Sequence, residues 1–145
     1  MKATKVKQSP AEIIAGALEI FDGGKNWIPG TLHETDHEGN ERYCAIGALS
    51  KAADGRCHYM YESDNDDLTE AANIVTSCVP RKLYQEPYPN PDEAIPDWND
   101  SLSPKTGFRS IKRVFCKALK IALEQEKETL KIRRKQSRRK SQKAA

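Results

Sequence analysis

Apolar side chains recur at three- and four-residue intervals in four stretches of the chain, and this spacing restricts its fold most strongly. Residues at such intervals share one face of an α-helix, so each stretch predicts an amphipathic helix. The first stretch opens with a possible capping box of Ser9 and Glu12, and Pro10 suits the first turn. Gly23-Gly24 can end this helix. Its predicted buried face consists of Ile13, Ile14, Ala17, Leu18 and Phe21.

The next two helices are delimited by similar signals. The second is predicted to begin after Asn40 and to end at Gly55. The third is predicted to begin at an Asp67 cap and to end before Pro80. The predicted buried residues of the second helix are Ala45, Ile46, Leu49, Ala52 and Ala53. Those of the third helix are Leu68, Ala71, Ala72, Ile74 and Val75.

The last helix is predicted to begin near Thr106, and its apolar face thins after Leu123. Beyond that residue, opposite charges at helical spacing favour a solvated helix that frays toward the end of the chain. The apolar face consists of Phe108, Ile111, Val114, Phe115, Ala118, Leu119 and Ala122.

Six of the eight prolines lie between Val79 and Pro104. Proline in a helix interior removes a hydrogen bond and clashes with the preceding turn, so this segment predicts turns and extended pieces. Its aromatic residues, Tyr84, Tyr88 and Trp98, favour an ordered wrap over the surface rather than a linker.

These elements predict a mostly α fold: a compact bundle of about four helices with a proline-rich wrapping segment and a basic C-terminal extension. We expect a basic arm over residues 1–9, a helical domain over residues 10–123, and a charged helical extension and basic tail over residues 124–145. A chain of 145 residues with 37% apolar content suits one domain. With no membrane-length apolar run, no secretory signal and four scattered cysteines, a cytoplasmic protein with free thiols is expected.

The segment His33 to His37 reads H-E-x-x-H, the pattern of many zinc peptidases. That chemistry needs a helix, because only there do both histidines face one ion. Pro29-Gly30 and Gly39-Asn40 flank the segment, and Leu32 is the one aliphatic residue between them, so we expect a polar loop. Cys44, Cys57 and His58 stand at no metal-site spacing, and no metal or cofactor is expected.

Three segments resemble a known family: NWIPG at 26–30, YCAIGALSKAA at 43–53, and IPDWND at 95–100 before the last helix. Together they resemble a functionally uncharacterised family of small bacterial and phage proteins with W…G, C-A-x-G-A-L and W-N-D motifs. The resemblance spans residues 13–123 and implies a compact, mostly helical fold and a phage or prophage origin. It implies no catalytic residue and leaves out the basic tail.

Cys44 is the strongest enzymatic candidate, because a cysteine in the first turn of a helix can act as a nucleophile with a histidine partner. His33, His37 or His58 could serve as its base, with Asn99 or Asp100 orienting that base. The alternative is a buried, inert thiol packed between the first and last helices. The sequence favours this second interpretation.

Trp98-Asn99-Asp100 also has two interpretations. We expect Trp98 to be buried, with Asn99 or Asp100 accepting hydrogen bonds from backbone amides of the last helix or a neighbouring loop. The alternative is a polar pair that lines a small-molecule pocket beside Cys44. The acidic run at 62–70 lacks the spacing of an EF-hand, so a solvated helix entry is expected there.

Charge is unevenly distributed along the chain. Residues 131–145 carry eight basic residues and no acidic one, and residues 1–9 add three lysines. The rest of the chain therefore holds 13 of the 24 basic residues and all 21 acidic ones, a net charge of −8. An acidic body with a basic tail is typical of proteins that bind polyanions.

We therefore predict a non-enzymatic, phage-type binding module whose basic C-terminal arm contacts nucleic acid or a nucleoprotein complex. The arm lacks aromatic residues, so it would bind mainly phosphates. The alternatives are a small cysteine-dependent enzyme using Cys44, and an interaction protein that inhibits a host or defence complex. The competing partner for the basic arm is an acidic host protein surface. With only Leu130 and Ile132 as apolar anchors, no membrane contact is expected. The predicted nucleic-acid-binding residues are Lys131, Arg133, Arg134, Lys135, Arg138, Arg139, Lys140 and Lys143.

Overall fold

The computed structural model describes residues 8–80 and 90–143, which form five α-helices and one small antiparallel sheet. Short 3-10 turns follow α1 and precede α3. The elements in chain order are α1 (Pro10–Phe21), β1 (His33–Thr35), β2 (Glu41–Tyr43), α2 (Ala45–Asp54), α3 (Asp66–Cys78), α4 (Pro91–Ser101) and α5 (Phe108–Lys143). No helix in this part of the chain is both long and apolar enough to cross a membrane.

The start of α1 confirms the predicted capping box. Ser9 Oγ accepts a hydrogen bond from the backbone amide of Glu12 at 3.2 Å, and the Glu12 carboxylate accepts one from the Ser9 amide at 3.3 Å. These bonds satisfy amides that have no partner within the helix. The helix ends at Phe21, where Asp22 adopts a left-handed backbone conformation one residue before the predicted glycines.

The predicted polar loop at His33 to His37 is instead half of a β-hairpin. β1 pairs with β2, with His33 opposite Tyr43. Asp36 forms the turn, because its Oδ1 accepts hydrogen bonds from the amides of Glu38 and Asn40, both at 2.9 Å. The hairpin also delays α2, which was predicted to begin soon after Asn40 and begins at Ala45.

The cap of α3 lies two residues before the predicted one. Asn65 Oδ1 accepts hydrogen bonds from the amides of Asp67 at 3.1 Å and Leu68 at 3.2 Å. Asparagine is as good an N-cap as aspartate, so residue preference alone does not favour Asp67 over Asn65.

The prediction of a proline-rich wrap is wrong for Pro91–Ser101, which form α4. Asn90 caps this helix and Pro91 occupies its first position, where the missing amide costs nothing. Pro96 lies inside the helix, and burial of Ile95 and Trp98 against the other helices compensates for the bond it removes. With α4, the described residues form five α-helices instead of the predicted four or so. The aromatic residues Tyr84 and Tyr88 lie outside the described residues.

The core lies where α1 packs against α2, α3 and α5. Phe21, at the end of α1, meets Phe108 and Phe115 of α5 edge to face, with ring centroids 5.6 and 5.5 Å apart. Such pairs add directional attraction to the burial of their apolar surface. α5 begins two residues after Thr106 and continues to Lys143, farther than the predicted fraying implied.

Candidate functional site

The eight cations of the predicted arm lie on the exposed final part of α5. An α-helix turns by about 100° per residue, so consecutive cations point in different directions. Three of them, Lys131, Arg134 and Arg138, fall within a sector of about 60°. The other five project from the remaining sides of the helix: Arg133, Lys135, Arg139, Lys140 and Lys143.

Four cations earlier in α5 share the direction of those three and are also exposed. Measured around the helix axis, all seven fall within a sector of about 60° and span about 43 Å of its length. Cys116 is the remaining residue of α5 in that sector, and no acidic residue of the helix lies there. We call the seven cations the basic stripe: Arg109, Arg113, Lys120, Lys127, Lys131, Arg134 and Arg138.

The buried face of α5 determines where the basic stripe points. Ile111, Phe115, Ala118 and Ala122 are buried and lie on the side of the helix opposite the stripe. Because these residues pack into the core, the first half of the stripe is held facing solvent. Sequence reasoning missed its first four members, although the helical period could have placed them.

A cavity of about 340 Å³ lies beside the stripe, between the ends of α3 and α4 and the first turns of α5. Trp98, Leu102 and Val114 supply much of its apolar wall. Arg113 of the stripe and Lys117 also line it, and none of the lining residues that the structure describes is acidic. The remaining lining residues are Cys78, Pro80, Ser101 and Ser110.

Cys44 is the N-cap of α2, one position before the first turn where a nucleophile was considered. Its amide donates to the carbonyl of Leu32, and its Sγ accepts from the amide of Gly47, both at 3.3 Å. Burial raises the pKa of the Cys44 thiol to about 11, because desolvation outweighs the bond from Gly47. The thiol is therefore a poor nucleophile. The hydrogen bond from its amide ties Cys44 to the loop before β1, and its side chain is buried, as predicted.

The glycine in C-A-x-G-A has a steric role. A Cβ atom at Gly47 would lie 2.2 Å from the carbonyl oxygen of Leu32, so no larger residue fits without displacing the loop. Because Cys44 donates to that same carbonyl, the close approach secures the loop against the start of α2.

The H-E-x-x-H segment lacks the helix that its zinc chemistry needs. His33 lies on β1 and His37 in the following turn. His33 Nε2 lies 3.6 Å from a carboxylate oxygen of Glu41 on β2, and its ring lies 5.2 Å from that of Tyr43. Among residues 8–80 and 90–143, no three histidine, cysteine or acidic side chains are grouped as metal ligands.

Asn99 is fully buried and connects three parts of the fold. Its Oδ1 accepts hydrogen bonds from Trp27 Nε1 at 2.8 Å and from the amide of Ala45 at 3.0 Å. Its Nδ2 donates to the carbonyl of Ile28 at 3.3 Å. The predicted backbone acceptor is thus confirmed, although its helical partner is α2 rather than the last helix. Asp100 accepts from the amide of Gly30 at 2.7 Å, as predicted for a neighbouring loop.

Residues 5–120 match the sequence profile of DUF6197, described as a family of unknown function. The chain belongs to the DUF6197 family. This membership confirms the predicted uncharacterised family. No curated protein and no solved structure matches the chain.

The DUF6197 region ends at Lys120, inside α5. It includes every lining residue of the cavity and the first three cations of the basic stripe. The other four, from Lys127 to Arg138, lie beyond it. The stripe therefore extends from the family region onto the rest of the helix.

A polar network around the buried His58, within the DUF6197 region, was not predicted. His58 Nε2 lies 2.7 Å from Asp54 Oδ2, and its Nδ1 lies 2.8 Å from the carbonyl oxygen of Tyr59. Both neighbours are acceptors, so the ring forms both bonds only when both nitrogens are protonated. Asp54 also accepts from Ser63 at 3.0 Å and Asn65 at 2.9 Å. Burial opposes ionisation of Asp54, but its hydrogen bonds outweigh burial and lower its pKa.

Proposed function

We propose that this protein is a non-enzymatic module that binds nucleic acid through the basic stripe of α5. The alignment of seven exposed cations on one side of a helix, opposite its buried face, is the observation that carries the proposal. A row of cations matches the repeating phosphates of a nucleic acid and gains free energy by releasing condensed counterions. The phage or prophage origin implied by the resemblance stays a prediction.

The pattern of charge favours a nucleic acid over an acidic protein surface. A protein partner presents acidic side chains at irregular intervals, whereas the stripe offers one charge type over about 43 Å. The stripe contains no aromatic side chain, so its contacts would be with phosphates and depend little on base sequence. For the enzyme alternative, the burial and raised pKa of Cys44 argue against a nucleophile.

Two triple variants with equal charge changes test the role of the stripe. One replaces Lys120, Lys127 and Lys131 by glutamate, and the other replaces Lys135, Lys140 and Lys143, which lie off the stripe. Binding to labelled DNA and RNA is measured by fluorescence anisotropy between 50 and 300 mM salt. If about five phosphates are engaged in duplex DNA, log affinity falls against log salt with a slope of roughly −4 to −5.

We expect the stripe variant to lose most of its binding and to flatten the slope by about 2 to 3 units. The off-stripe variant should lose much less. Equal losses would mean that total charge, rather than alignment, determines binding. If the intact chain binds no nucleic acid at 50 mM salt, the proposal is wrong and an acidic protein partner becomes the leading choice.

A further inference from the structure

Resting on the proposed function, we infer that the cavity beside the basic stripe receives one unpaired nucleobase of a single-stranded nucleic acid. In the described part of the chain, apolar side chains at the end of α4 and on α5 line the cavity, and Arg113 and Lys117 of α5 add two cations. The chemical unit recognised is a nucleotide, with its phosphate on the cations and its base in the cavity.

The positions around α5 place these two parts side by side. Arg113 belongs to both the stripe and the cavity lining. Lys117 lies about 40° farther around the helix, and Ser110 and Val114 follow in the same direction. A strand whose phosphate contacts Arg113 therefore has the cavity directly beside its backbone.

The composition of the cavity suits a base. Trp98, Leu102 and Val114 offer apolar contact, while the hydroxyls of Ser101 and Ser110 can donate to or accept from a base edge. Its volume of about 340 Å³ lies at the lower end of the range for small-ligand sites. Among residues 8–80 and 90–143, those that line the cavity include no carboxylate that would repel the adjacent phosphate.

The stripe has no aromatic side chain on which a base can stack, so its phosphate contacts by themselves favour single strands little over duplexes. In proteins that bind single strands, base contacts with apolar or aromatic side chains add to the phosphate contacts. The cavity supplies such a contact on the flank of the stripe. A base paired within a duplex could not enter it without leaving its stack.

The test compares four ligands at one salt concentration: a 12-nucleotide single strand, the same strand with abasic sites, the matching duplex, and a free nucleoside monophosphate. Ser110→Phe fills the cavity from its rim, and Ser137→Phe adds the same ring to α5 away from the cavity. Lys117→Ala removes a cavity cation, and Lys112→Ala removes an exposed cation that does not line the cavity. Circular dichroism verifies that each variant is folded.

Removing the bases should weaken single-strand binding roughly tenfold, and Ser110→Phe should cause a similar loss. Lys117→Ala should weaken single-strand binding more than Lys112→Ala does, and Ser137→Phe should leave it unchanged. Duplex affinity should not respond to Ser110→Phe. The free monophosphate is the arm that separates two sources of the base. If it binds saturably, if Ser110→Phe abolishes that binding, and if the single strand binds no more tightly, the ligand of the cavity is a free nucleotide.

If nucleic acid binds but the abasic strand and Ser110→Phe match their references, the inference is wrong while the proposed function stands. If no nucleic acid of any form binds, the proposed function itself fails.

Discussion

The two parts of α5 are helical for different physical reasons. From Phe108 to Ala122 the helix packs against α1 and α3, and its apolar face is buried. From Leu123 to Lys143, which we call the extension, every residue except Glu126 is exposed. Apolar residues in the extension remain in solvent, as Ile132 is 54% exposed. Helix propensity and pairs of neighbouring charges therefore hold the extension, whereas tertiary packing holds the first part.

One part of α5 can therefore stabilise the fold while the other carries exposed charge. Starting a helix is costly, but each residue added to an existing helix gains a backbone hydrogen bond. The packed part of α5 supplies the start, so the extension can follow at low cost. The basic stripe crosses the boundary without changing direction, because the helical period is the same on both sides. Stability should therefore depend on the packed part of α5 and the helices that contact it, which we call the body. Nucleic-acid binding should depend on both parts of α5.

The largest expected effect is the loss of a buried apolar side chain from the packed part of α5, compared with the loss of an exposed one from the extension. Phe115→Ala should lower the free energy of unfolding by about 3 to 5 kcal/mol, because the ring is fully buried against Phe21. Leu123→Ala, its control in the extension, should cost less than about 1 kcal/mol, because Leu123 is 46% exposed. Urea denaturation measures both. Similar losses would show that the extension also packs against the body.

The next effect concerns the buried polar residue of the body. Asn99→Ala leaves Trp27 Nε1 and the Ala45 amide without an acceptor, so we expect a loss of about 2 to 3 kcal/mol. Asp100→Asn is the control, because it keeps an oxygen for the Gly30 amide and should change stability by less than about 1 kcal/mol. Thermal and urea unfolding measure the stability of both variants. If Asn99→Ala is as stable as the intact chain, the structural role of Asn99 is refuted.

A smaller effect distinguishes the part-buried carboxylate of Asp54 from the exposed carboxylate of Glu128. Asp54→Asn should cost about 1 to 2 kcal/mol at pH 7, because it removes charge-assisted bonds to His58 and its neighbours. Glu128→Gln should change stability by less than about 0.5 kcal/mol, because its partner Lys131 lies 3.5 Å away in solvent. Urea denaturation at pH 7 compares the two variants.

Acid should also remove the contribution of Asp54 to the free energy of unfolding. Its folded pKa is lower than the ordinary value of 3.8, so the contribution is complete above about pH 4 and is lost as pH falls through the folded pKa. The difference between the intact chain and Asp54→Asn should shrink accordingly in a series of unfolding experiments below pH 4. A difference that stays constant down to pH 2 would contradict the assigned ionisation.

Deleting residues 131–145 should have the smallest effect on stability. The deleted side chains from 131 to 143 are exposed, so the Tm should change by less than about 2 °C while the helical signal in circular dichroism falls. Four cations of the stripe remain, so nucleic-acid binding should weaken rather than disappear. A Tm lower by 5 °C or more would place structural contacts in the extension.

Much of the fold could be predicted because local signals and apolar periodicity agree. The capping box at Ser9, the stop before Gly23 and the buried faces of α1 and α3 depend on neighbouring residues in the chain. The error at α4 arose because Pro96 was weighed without the packing of Ile95 and Trp98, which only the assembled core provides. The hairpin was missed because its strands have three residues each and carry little apolar alternation.

The sequence by itself determined the helical class, the first cap and the segregation of charge, because each depends on residue identity and short spacing. Only the tertiary structure decided that Asn99 joins α2 to the Trp27 loop, that Asp54 meets Ser63 and Asn65, and that a cavity lies beside Arg113. These features join residues distant in the chain or on different elements, and no local pattern specifies such distances. The direction of the basic stripe lies between the two cases: helical spacing aligns its cations, but burial of the opposite face decides that they point into solvent.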